Sequence, residues 1–164
     1  MGGMSEEWRG FDLAVSRWRI GELAIEGLPE AAIEALEAGC DTPSLGVLAG
    51  MDGRGWSELE PVVQSVLVER GVPLPSRAEA IKSVADAVLR QVVAGEVDPR
   101  DATLRLMRLV SGPQTPAWED LVVFSSLSFD WDSADEGRVD EAAVRHEVLA
   151  QANRILDQGG VRTG

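Results

Sequence analysis

The chain has 164 residues, 45% hydrophobic and 26% charged, and its 28 acids against 15 bases give a formal charge of −13. That length buries about 70% of the unfolded surface of a single domain without disulfide or metal, and the composition is too apolar for a disordered chain. The acidic balance opposes binding to DNA, RNA or an anionic membrane, each of which needs a cationic face. One His and one Cys exclude a Cys/His zinc site and an internal disulfide.

Residues 1–10 are small and acidic and predict a flexible segment. A helix is predicted from Phe11 to a stop at Gly27, with two apolar stripes: Phe11, Ala14, Val15 and Trp18, then Leu13, Ile20, Leu23 and Ala24. Two apolar faces imply a helix running through the centre of the fold. Pro29 suits a first helical position and opens a second helix, with Ala32, Ile33 and Leu36 inward and Gly39 as its stop. Thr42-Pro43 opens a short third helix closed by Gly50. Ser57-Glu58-Leu59-Glu60 reads as a capping box for a fourth, in which the hydroxyl accepts an orphan amide and the Glu reaches back to the cap's own N–H. Trp56 before that cap is placed to staple onto Pro61.

Gly71-Val72-Pro73-Leu74-Pro75 is a stiff connector and the natural boundary between two lobes, 11–71 and 76–158, of one helical domain spanning 11–158. Ser76-Arg77-Ala78-Glu79 is a second capping box. It starts the longest clean helix, with Ile81, Val84, Ala85, Val88 and Val92 on one face and Gly95 as the stop. Asp98-Pro99 starts the next, carrying Ala102, Leu106, Leu109 and Val110. Thr115-Pro116 starts another, carrying Ala117, Leu121, Val122 and Phe124, and the last runs from Val139 to Asp157 with Val144, Val148, Ala152 and Ile155 inward. Residues 159–164 have nothing to pack and predict a disordered tail. Predicted helix covers about two thirds of the chain, twice the ordinary share, and no alternating strand with a hairpin turn is present. The fold class is all-α, a compact orthogonal or irregular bundle of seven to eight helices.

Motifs for chemistry are sparse. His146 lies about 200° around its helix from Val144, on the solvent side, and none of its neighbours Ala142, Ala143, Ala150 and Asn153 can orient it as a base. Cys40 precedes Asp41, whose charge raises a thiol pKa, so a small, partly buried Cys is expected. Gly50, Gly53 and Gly55 follow no strand and precede no Gly-Lys-Ser/Thr, so they read as a loop between helices and not as a phosphate cradle. A helix-turn-helix over residues 29–49 would present no Lys, Arg or Asn from Pro43 to Gly50, and Glu30, Glu34 and Glu37 precede it. Arg100, Arg105 and Arg108 are flanked by Glu96, Asp98 and Asp101 and read as ordinary surface pairs.

The acidic stretch between Pro116 and Glu141 is the remaining signal, with eight acids against Arg138 alone. Asp130, Asp132 and Glu141 fall at the first, third and twelfth positions of a calcium loop. Ala134 and Asp135 then stand where that loop needs an oxygen ligand and a Gly, so no metal is expected. A solvated loop leading into a helix start is one reading of this stretch. The other is a partner-binding patch of Phe129, Asp130, Trp131, Asp132, Asp135 and Glu136, because aromatics among acids are typical interface anchors. A loop Trp can equally fold back onto the core.

The run Ala35-Leu36-Glu37-Ala38-Gly39-Cys40-Asp41-Thr42-Pro43-Ser44-Leu45-Gly46-Val47-Leu48-Ala49-Gly50 resembles a stretch of small all-helical bacterial proteins, often actinobacterial. Val92-Val93-Ala94-Gly95-Glu96-Val97-Asp98-Pro99-Arg100-Asp101-Ala102 is similar to a second stretch of the same proteins, in which a Gly often replaces Asp101. The family has no established activity, so the resemblance implies a helical fold and carries over no catalytic residue or cofactor.

The residues therefore point to a small acidic protein-binding module of the immunity, antitoxin or adaptor kind, with no catalysis, no cofactor and a basic protein as its partner. The absence of an export signal and the lone thiol place it in the cytoplasm. Two alternatives stand beside this reading. One is a ligand binder or enzyme with a carboxylate/Arg pocket between helices. The other is a structural subunit whose homodimer buries the second apolar face of the first helix.

Overall fold

A computed structural model describes residues 5–111 and 118–162. The described residues are 72% helical, in eight α-helices with no strand, as the all-α reading expects. No helix among them is long and apolar enough to cross a membrane. The chain divides into two compact units, residues 1–80 and 81–164. The division falls between Ala80 and Ile81, in the first turns of a helix, and not in the Gly71–Pro75 connector.

The first unit opens on a 3-10 turn, Glu6–Trp8, which runs directly into α1, Arg9–Arg19. The segment expected to be flexible is therefore helical from Glu6 onward. Trp8 explains the order, because its ring packs edge-on against Phe11 with centroids 5.7 Å apart. Helix α1 is also shorter than predicted. Gly21, at φ +76°, turns the chain in the left-handed conformation that ends a helix at little cost to Gly. Leu23 then packs against the core of the unit, so it leaves the second apolar stripe read along α1.

Helix α2, Gly27–Glu37, presents Leu28, Pro29, Ala31, Ala32 and Ala35 to the core. Ile33 and Leu36, expected inward, are exposed, because small alanines let α2 sit close to its neighbours on the other face. Helix α3, Pro43–Ala49, starts at Thr42-Pro43 as predicted and buries Leu45 and Leu48. Helix α4, Trp56–Arg70, begins earlier than its sequence suggests. Gly55 is the cap, and the Glu58 carboxylate accepts the Gly55 N–H at 3.4 Å. Ser57 is thus inside the first turn, and Trp56 stacks near Trp18 instead of stapling to Pro61. Arg70 closes the unit. It donates to both carboxylate oxygens of Asp12 on α1, at 2.6 and 3.2 Å, and its guanidinium lies 3.9 Å from the Trp8 ring centre.

Helix α5, Arg77–Val93, carries the second capping box as read: Glu79 N–H donates to Ser76 Oγ at 3.2 Å, and Ser76 N–H donates to Glu79 Oε2 at 2.7 Å. The two serines make a paired prediction. Ser76→Ala is expected to lower the unfolding free energy by about 1 kcal/mol in a urea titration, whereas Ser57→Ala should leave it within error.

In the second unit α5 buries Ile81, Val84, Ala85, Val88 and Val92, all as predicted. Helix α6, Pro99–Val110, is capped by Asp98, which accepts the Arg100 N–H at 2.9 Å. It packs on α7, Glu119–Asp135, which in turn packs on α8, Glu141–Asp157. The expected start of α7 at Thr115-Pro116, together with Ala117, lies outside the described residues. Val122, expected inward on α7, is exposed. Helix α8 starts at Glu141 behind the cap Asp140, two residues later than read, and buries Val144, Val148, Ala152 and Ile155.

Residues 159–162 are no free tail. Val161 is 1% exposed and Arg162 is tied to a buried carboxylate, because two acids inside the unit offer acceptors that this segment fills.

Candidate functional site

The acidic-aromatic stretch is not a loop. Residues 129–135 are the last two turns of α7, since Leu121, Phe124, Leu127 and Trp131 continue one buried stripe along the helix. A helical path separates residues that lie together in sequence. Phe129 and Trp131, two positions apart, point about 200° apart.

Trp131 faces inward and is 2% exposed. Its indole N–H donates to Thr103 Oγ1 on α6 at 3.2 Å, and that hydroxyl donates to the Pro99 carbonyl at 2.7 Å. Two guanidiniums approach the ring, Arg100 from α6 at 5.7 Å and Arg145 from α8 at 5.6 Å. Both are held by acids. Arg100 donates to Asp135 at 2.9 Å, with a second close contact between the same two groups. Arg145 donates to Asp98 at 2.7 Å and to Glu141 at 3.0 Å. These hydrogen bonds hold the Asp135 and Asp98 carboxyls below the usual range and push both arginines up. Arg and carboxylate groups are therefore clustered between helices, but they pair with one another around a filled core position. Trp131 is buried and so withdrawn from any surface patch, whereas Asp135 is exposed but engaged by Arg100.

The opposite side of α7 is different. Phe129 is 71% exposed and Val122 55%. Seven residues separate them, two helical turns, so they stand about 20° apart on one face, with exposed Ser126 between. Asp130 and Asp132, both exposed, flank Phe129 on either side. Glu136 follows at the end of the helix, also exposed, in close contact with Arg138. Of the six residues singled out in the sequence, Phe129, Asp130, Asp132 and Glu136 share the solvent side of this helix end. Val122 is expected inward with Leu121 and Phe124, although a position two before Phe124 points about 200° away from it.

The remaining candidates for chemistry are placed as follows. His146 is exposed, and Cys40 is buried in the first unit, where desolvation and then the nearby Glu7 charge push its thiol pKa up. Asp130 and Asp132 sit on helical backbone, so residues 130–141 do not form a cation-binding loop. Among the described residues no group of three or more His, Cys, Asp or Glu is arranged to hold a metal ion.

No protein-family model matches the chain, and no similar curated protein or solved structure is found.

Proposed function

We propose that the chain is a cytoplasmic protein-binding module of the immunity, antitoxin or adaptor kind, and that it works without catalysis. The exposed face of α7, with Phe129 and Val122 at its centre and Asp130, Asp132 and Glu136 at its rim, would be its contact surface. The observation carrying this reading is Phe129. A phenylalanine left 71% exposed on a well-formed helix, while the neighbouring Trp131 is buried, is an anchor held ready at no cost to the core. The acids around it and the overall charge of −13 favour a basic partner that offers an apolar side chain.

The division of labour is testable. A partner captured by the wild-type chain should be lost by a Val122→Ser/Phe129→Ser double variant. With that partner purified, Asp130→Asn/Asp132→Asn/Glu136→Gln should slow association about tenfold at low salt and flatten its salt dependence, because exposed charges mainly steer encounter. Unchanged association kinetics in the neutralised variant would remove the acidic rim from the reading. Asp135 is left intact because it belongs to the Arg100 pair.

A further inference from the structure

We infer that the groove holding residues 160–162 is a docking site for arginine-bearing peptide segments of the form Gly-Val-Arg, filled here by the chain's own copy. Each of the three residues is read by a separate feature. A Cβ added to Gly160 would lie 2.7 Å from Asp86 Oδ1, and its φ of +95° is one that side-chain-bearing residues rarely adopt. Val161 is 1% exposed, and its N–H donates to Asp86 Oδ1 at 2.7 Å. Arg162 donates three times to Asp120, through its backbone N–H at 3.0 Å, Nε at 3.1 Å and Nη2 at 2.9 Å.

The two reading groups are side-chain carboxylates on α5 and α7, 9% and 3% exposed. Lys82 also donates to Asp86, at 2.8 Å, whereas among the described residues the donors to Asp120 are those of Arg162. The guanidinium holds the Asp120 carboxyl below the usual range. If residues 160–162 leave, Asp120 loses the Arg162 donors and Asp86 keeps only Lys82, and a peptide bringing the same N–H groups and guanidinium restores what is lost. Departure breaks the Gly160 N–H bond to Ile155, exposes the Val161 side chain and releases Asp86 and Asp120, while the Gly159 N–H bond to Leu156 stays with α8. This site uses the buried side of α7's first turn and is independent of the Phe129 face.

The test titrates full-length protein with a labelled Gly-Gly-Val-Arg-Thr-Gly peptide. In wild type the tethered segment competes at an effective concentration of about 1 mM and masks the site. Arg162→Ala should weaken that competitor, so the variant should bind the peptide at least about tenfold more tightly than wild type, with faster amide exchange at Val161. A peptide with Ala in place of the second Gly should not bind, nor should the original peptide bind the Arg162→Ala/Asp120→Asn double variant. Failure of the peptide to bind Arg162→Ala while Val161 exchanges freely would overturn the proposal. So would continued slow exchange at Val161, which would make the segment a fixed part of the fold. Arg162→Gln, which keeps more of the side-chain stem, should repeat the Arg162→Ala result.

Discussion

Trp131→Ala is expected to lower the unfolding free energy of the second unit by about 3–5 kcal/mol, the range for emptying a buried large aromatic site. Three losses add. The indole fills the space between α6, α7 and α8 and is 2% exposed. Its N–H satisfies the Thr103 hydroxyl, which then retains only its own donation to Pro99. Arg100 and Arg145 lose the ring face that they approach at 5.7 and 5.6 Å. Trp131→Phe keeps most of the volume and gives up the N–H, so it should cost about 1–2 kcal/mol. Guanidinium titration followed by fluorescence and circular dichroism measures both. A loss below about 1 kcal/mol for the alanine variant would mean that the site collapses without penalty.

The second large effect lies in the first unit. Arg70→Ala is expected to cost about 3 kcal/mol, because it strands a mostly enclosed carboxylate and removes a cation from an aromatic face at once. Arg70 and Asp12 side chains are only 9% and 18% exposed, so solvent screens this pair far less than the surface pairs Arg54–Glu58 or Arg145–Glu141. The double variant Arg70→Met/Asp12→Leu should recover much of the loss, since an apolar pair of similar size leaves no buried charge. Urea titrations of wild type, Arg70→Met, Asp12→Leu and the double variant give the coupling directly. If Arg70→Met and Asp12→Leu were additive in the double variant, the two groups would not be interacting.

Helix punctuation was legible where one residue decides the outcome. Asp98-Pro99, Thr42-Pro43 and the Ser76–Glu79 box all start helices where predicted: Ser76 and Asp98 through side-chain caps reaching two or three residues on, and Thr42, which makes no such bond, ahead of a Pro that suits the first helical position. The inward faces of α5 and α8 were equally plain, since each carries a single uninterrupted stripe. Failures came at two helix ends. The stop read at Gly27 is anticipated by Gly21, which takes the left-handed conformation, and Leu23 beyond it packs on the core. The cap read at Ser57 lies instead at Gly55, whose N–H donates to the Glu58 carboxylate.

The candidate site was half legible for a related reason. The acids around Phe129 read as a loop, whereas Leu121, Phe124, Leu127 and Trp131 bury one helical stripe, and burial of that larger surface prevails over weak propensity. Once the stretch is helical, adjacent aromatics part company, and only Phe129 remains at the surface. Docking of residues 160–162 gave almost no warning. It depends on Asp86 and Asp120, each far away in sequence, and no periodicity reports such a meeting.

The most direct measurement is Phe129→Ser, read in two ways on the same preparation. Its thermal midpoint should match wild type within a degree or so, because a side chain already in water contributes little to folding. Its complex with the captured basic partner should dissociate at least about tenfold faster, since an aromatic anchor acts mainly on the off-rate. Unchanged dissociation together with an unchanged midpoint would contradict the proposal that this face of α7 binds a partner.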